Sequence, residues 1–221
     1  MSLIQMLGLL RDGCLSSLLI FLLTLAFSLP LGLLICFGRM AKNRIVSMIF
    51  RFYISVMRGT PLMLQLFVVY YGPYYIFRIK LSHLGNHWMF IAVIIGFVLN
   101  YAAYFAEIYR SGIASVSVGQ YEAAEVLGMD RRRAFFLVIL PQVFRTVLPA
   151  LGNEVVTLVK DTSLAFAIGQ VEMFTRAKQL ASAEVSLVPY AVAAAIYYIF
   201  NLCVVFGLER LERRFGRYTI R

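Results

Sequence analysis

Nowhere in its 221 residues does the chain carry a Gly-x-x-x-x-Gly-Lys-Ser/Thr signature, or even a Gly-Lys dipeptide. That route to cradling nucleotide phosphates is therefore closed. Histidine is nearly absent: His83 and His87 are the two, four apart in a short stretch between apolar runs. As a metal pair they would be half a site, and an interfacial loop is the plainer reading. The three cysteines, Cys14, Cys36 and Cys203, fall in or beside apolar segments without metal or redox spacing. No metal-ligand cluster and no nucleophile–base pair is legible, so neither catalysis nor a cofactor of its own is expected of the chain. Acidic residues are scarce, 11 against 21 basic, leaving a net charge of +10. Such a charge can serve nucleic acid, but here the basic residues ring apolar runs, so membrane topology explains them and no nucleic-acid partner is implied. Long linkers, internal repeats and low-complexity tracts are lacking too. No cleaved signal is expected, because the first apolar run, 13–38, is too long for one and Arg11 is balanced by Asp12.

Hydrophobicity is what abounds. Apolar residues make up 61% of the chain and mean hydropathy is +0.80, whereas a soluble domain is about half apolar. The composition defines one membrane domain over 1–221, embedded in lipid. Four uncharged runs, 13–38, 59–77, 88–106 and 185–208, are long enough to cross about 30 Å of hydrocarbon. A fifth span lies after Pro141, interrupted by Arg145, Glu154, Lys160 and Asp161. The expected architecture is an all-α membrane protein of about five transmembrane helices, over 13–38, 45–77, 88–109, 141–169 and 185–208. The second of these contains Arg58-Gly59-Thr60-Pro61, a break that a membrane helix tolerates where neighbours or a cavity satisfy the freed backbone.

Five crossings put the termini on opposite sides, and Lys and Arg decide which is which. One set of flanks holds Arg39, Lys42, Arg44, Arg110, Arg131, Arg132, Arg133, Arg210, Arg213, Arg214, Arg217 and Arg221; the other holds only Arg11, Arg78, Lys80, Arg176 and Lys178. The richer set marks the cytoplasm, so the N-terminus is expected outside and the C-terminus inside.

Between the third and fourth spans, residues 117–140 are too polar for lipid, where each central charge costs about 2.5–3.5 kcal/mol. Ser117 with Gln120 reads as a capping box opening a short helix over 120–127. Gly128 suits a left-handed stop, and Asp130 can cap a second helix from Arg131. Tyr121, Ala123 and Ala124 are expected at the surface of the first helix, small enough to admit another protein's backbone. Glu122-Ala123-Ala124, Gly128, Val138 and Leu140-Pro141 together resemble the EAA motif of bacterial ABC importer permeases, with Val138 where that family usually has Ile. The resemblance implies the type I (MetI-like) permease fold and a coupling helix over this loop, Tyr121, Glu122, Ala123, Ala124 and Gly128 included. It also implies a pair of separate ATP-binding subunits carrying ATP and Mg, and a second permease subunit, identical or paralogous. An extracytoplasmic substrate-binding protein and a place in the bacterial cytoplasmic (inner) membrane complete the expectation.

Inside the membrane, Asn100, Tyr104 and Glu107 follow i, i+4, i+7 spacing and share a helix face, as do Glu154, Thr157 and Asp161. Two polar stripes in so apolar a chain should face each other or a watery path; pairing among themselves, for instance Lys160 with Glu107 or Glu154, is the structural alternative. Three segments are similar to permeases for polar amino acids: Arg58-Gly59-Thr60-Pro61-Leu62 with Gln65, Asn100 to Arg110, and Lys160-Asp161-Thr162-Ser163-Leu164. The likeness implies an amino-acid substrate, with Arg58, Gln65, Asn100, Tyr104, Glu107, Asp161, Thr162 and Ser163 near it. A zwitterion gives these groups a rationale, Asp161 and Glu107 for the ammonium and Asn100, Thr162 and Ser163 for the carboxylate. A same-fold importer for methionine or an oxyanion is the near alternative. An ion-coupled secondary carrier or a small channel is the distant one, which would have no use for an EAA loop.

Overall fold

The computed structural model describes residues 3–79 and 86–215. His83 and the end of the basic tail lie outside them. Every regular element among the described residues is helical: α1 Leu3–Arg39, α2 Arg44–Gly59, α3 Leu62–Phe77, α4 Asn86–Ser115, α5 Val118–Val126, α6 Arg131–Arg133, α7 Leu140–Asp161, α8 Met173–Glu184 and α9 Val188–Phe215. A π-helical segment, Ala134–Ile139, joins α6 to α7, and a 3-10 segment, Thr162–Ile168, extends α7. Among the described residues four helical runs are long and apolar enough to cross a membrane, or five when α2 and α3 count as one bent span.

The span expected over 45–77 is not one helix. It bends by 112° between α2 and α3, because Pro61 has no N–H to continue the ladder and Thr60 turns extended at φ −123°, ψ 147°. The bend leaves carbonyls unpaired, and side chains take them up. Gln65 Nε2 donates to Met57 O (2.9 Å) and Thr60 O (3.1 Å), and Asn100 Nδ2 donates to Met57 O at 3.1 Å. Pro141, expected to open a span, instead sits inside a continuous helical run just after the π segment. The wider π turn gives room to a proline ring that would otherwise press on the carbonyl four residues back.

The bundle is organised on the pairing of α1 with α4. They run parallel: Gly32 lies against Ala102 and Phe105, and further along Arg39 meets Glu107. Packing between membrane helices rests on close approach rather than hydrophobic drive, and small residues permit it. Ala102, Ala103 and Ala106 on α4 are fully buried against Cys36 and Ile35. At Gly32 an added Cβ would stand 2.8 Å from Phe105 Cβ and 3.0 Å from Ala102 O. Gly32→Val is therefore expected to force the two helices apart and destabilise the fold by about 1–3 kcal/mol. Thermal unfolding in detergent would measure this, with Gly8→Val, which meets nothing within 4 Å, as the control.

Candidate coupling loop and substrate path

The loop folds as two capped helices joined at a glycine. α5 begins at Val118, earlier than the expected 120. Ser117 caps it through backbone geometry, but its side chain makes no capping bond. The capping box does not form, because Gln120 is engaged elsewhere: its Oε1 accepts from Gln142 Nε2 at 3.1 Å. Gly128 adopts φ +71° as expected, and its N–H donates to Glu125 O at 2.9 Å. Asp130 caps the following turn, accepting from the N–H groups of Arg132 and Arg133, each at 2.9 Å. Tyr121, Glu122 and Ala123 are exposed on α5. Ala124 is not: it is buried on the inner side of α5, which packs against the π segment. Ala123 alone of the two alanines is available to another chain.

Of the eight residues expected near a substrate, the structure gathers four around the α2–α3 bend. Asn100 is buried, and besides Met57 O its Nδ2 reaches Gln65 Oε1 at 2.9 Å. The two amides are thus spent on holding the broken backbone, so the Asn100 donor expected for a substrate carboxylate is already engaged. Arg58, last basic residue of α2, lies with its guanidinium 5.3 Å from the centre of the Tyr104 ring. Glu107 is likewise engaged within the protein. It pairs with Arg39 at the end of α1 and with Arg110 Nη2 at 2.7 Å, so its charge is already doubly met. Replacing it leaves two partly buried guanidiniums repelling each other. Glu107→Gln should therefore lower the yield and melting temperature of the assembled protein rather than alter its preference among substrates.

The remaining three lie at the end of α7. Thr162 is wholly buried, its hydroxyl donating to Val159 O at 2.8 Å, so it too is removed from the path. Ser163 Oγ donates to Lys160 O at 2.8 Å. Asp161, half-buried, accepts from the Tyr101 hydroxyl at 2.8 Å. Tyr101, 2% exposed, was not singled out in the sequence because its ring looked like ordinary core. It ties the two polar stripes together, with the Tyr104 ring 6.3 Å away. Glu154 is half-buried two turns before Asp161 on the same face of α7. Tyr104 and Tyr101 on α4 thus stand between the Arg58 guanidinium of α2 and the Asp161 carboxylate of α7. Lys160 has no ion pair with Glu107 or Glu154 among the described residues.

Glu172 was also missed. It is fully buried and caps α8, its carboxylate accepting from Phe174 N–H, Thr175 N–H (both 2.7 Å), Thr175 Oγ1 (2.8 Å) and Tyr197 OH (3.1 Å). Burial pushes its carboxyl above the ordinary range while these donors pull it back. Glutamate is not among the favoured helix caps, so no sequence signal marked the start of α8. No group of three potential metal ligands exists among the described residues.

A bundle of several membrane-length helices, a capped polar loop and polar side chains meeting among those helices define the class: the membrane-embedded half of a transporter. Residues 28–217 match the model of the binding-protein-dependent transport system inner membrane component family, and the chain belongs to that family. It is 39% identical over 202 residues to the L-cystine transport system permease protein TcyB of Bacillus subtilis (strain 168), covering 90% of this chain and 82% of that one. It is 42% identical over 198 residues to the nopaline transport system permease protein NocM of Agrobacterium fabrum, covering 86% and 82%. Among solved structures, a crystal structure of an amino acid ABC transporter with histidines matches with a TM-score of 0.86 at 32% identity, covering 96% of each chain. The type I permease fold expected from the loop is the fold observed. The family makes the chain a transport component of the inner membrane and not a catalytic protein.

Proposed function

We propose that this chain is the transmembrane subunit of an ATP-driven importer for polar amino acids. The observation that carries the reading is the polar link across α4, in which Arg58 lies over the Tyr104 ring, Tyr104 stands beside Tyr101, and Tyr101 is hydrogen-bonded to Asp161. Opposite charges at membrane depth, held apart by hydroxyl-bearing rings, match the two ends of a zwitterion. The substrate carboxylate goes to Arg58 and the ammonium to Asp161, in place of the Asn100 and Ser163 arrangement that the spacing suggested. Relatives named for cystine and nopaline transport support an amino-acid-like cargo.

The polar face of α7 supports pairing with a second permease subunit. Asn153, Thr157 and Lys160 are exposed along it, and lipid would not cover them cheaply. The exposed Tyr121, Glu122 and Ala123 of α5 seat on an ATP-binding subunit, which carries ATP and Mg, and an extracytoplasmic binding protein delivers the cargo. With the loop inside, a cysteine at Ser186, in the α8–α9 turn, should react with an impermeant thiol reagent in intact cells that lack the native cysteines. One at Gln120 should react only after lysis; the reverse pattern overturns the orientation. The function itself is tested by reconstituting the chain with its neighbours and measuring ATP-dependent uptake under competition from the common amino acids. Uptake indifferent to every amino acid would refute it.

A further inference from the structure

Packing of the helices surrounds Glu107 with positive charge. α2 presents Arg51, Ser55 and Arg58 at i, i+4, i+7, all exposed on one face. Opposite them stand Arg39 from the end of α1 and Tyr104 and Glu107 from α4, enclosing an open cavity of about 510 Å³. Three guanidiniums, those of Arg39, Arg51 and Arg58, thus line it beside one carboxylate, and Glu107 is already bridged to Arg39 and to Arg110. Tyr104 lies near the middle of the thirty-residue α4, so Arg58 sits at membrane depth. Arginines there do not face lipid; they line water. The cavity reaches from Tyr104 to Glu107 and Arg39, toward the end of α4 that leads into α5.

Resting on the reading above, we infer that this cavity is an electropositive section of the pathway that selects the charge of the cargo. Amino acids that are neutral or anionic overall pass it, a second carboxylate is favoured by Arg51, and amino acids with a cationic side chain are disfavoured. The physical basis is a field of one sign focused by low-dielectric walls, with Arg51 free of any ion pair among the described residues and able to take a carboxylate in a two-pronged bond. Glu107, expected to meet an ammonium, is instead neutralised by Arg39 and Arg110.

The binding protein imposes a selection of its own, so the test omits it. The detergent-solubilised complex of this chain with its ATP-binding partner is titrated with glutamate, glutamine, lysine, arginine and inorganic phosphate, read as thermal stabilisation. Glutamate and glutamine should stabilise the native complex, with lysine and arginine weaker by about tenfold or more in affinity. Arg51→Glu should weaken glutamate and strengthen lysine, and Arg51→Gln should weaken glutamate alone. Lysine binding as tightly as glutamate, or phosphate competing as well as glutamate, would overturn the inference while leaving an amino-acid importer intact. If no ligand stabilises the complex, uptake competition in the complete reconstituted system decides: a glutamate-to-lysine preference unmoved by Arg51→Glu also overturns it. Failure of that system to take up any amino acid would instead defeat the functional reading itself.

Discussion

Gly128→Val is expected to abolish coupled uptake, to below about a tenth of the native rate, while the protein remains in the membrane. The glycine holds φ +71° between α5 and the Asp130 cap, and a side chain in that region costs about 1–2 kcal/mol, more when β-branched. Nothing lies within 4 Å of where a Cβ would project. The penalty is thus backbone strain and not a clash, and it is relieved by rotating α5 away from its seat on the π segment. Two controls separate strain from bulk. Gly128→Asn, which tolerates the left-handed region, should retain most of the uptake, and Gly128→Ala should fall between the two. Co-purification of the ATP-binding subunit gives the second readout, and it should follow the same order. Native levels of both uptake and association in Gly128→Val would rule out a coupling role for this turn.

Asp161→Asn is the second large effect, a loss of at least about tenfold in uptake, equivalent to about 1.4 kcal/mol. The structure sharpens what this variant reports. Asp161 accepts a hydrogen bond from the buried Tyr101 hydroxyl, and an asparagine oxygen at the same place can still accept it. Packing between α4 and α7 is kept, and only the charge that would meet an ammonium is lost. Tyr101→Phe supplies the complementary experiment, removing the donor and leaving the carboxylate. If Asp161 serves the cargo, Asp161→Asn cripples uptake without changing the melting temperature, and Tyr101→Phe does the converse. If Asp161 only anchors Tyr101, normal transport in Asp161→Asn would show it, and the ammonium site would then belong to the second permease subunit.

The sequence by itself determined the membrane class, because hydropathy and the scarcity of charge leave a chain of 61% apolar residues no other solvent than lipid. It determined the turn between α5 and α6, because caps and left-handed stops are local: Gly128 and Asp130 need only their own neighbours to act. It also brought out Arg58, Tyr104 and Asp161 as polar groups in or beside apolar spans. Tertiary structure alone decided what those groups do. Asn100, Gln65 and Thr162 carry the same donors in either role, and only the 112° bend and the packing of α7 show that backbone carbonyls claim them. Glu107 looked like a free carboxylate until α1, nearly seventy residues earlier in the chain, brought Arg39 beside it. Burial and partnership arise from contacts between distant segments, and periodicity along one helix carries no record of what the next helix presents to it.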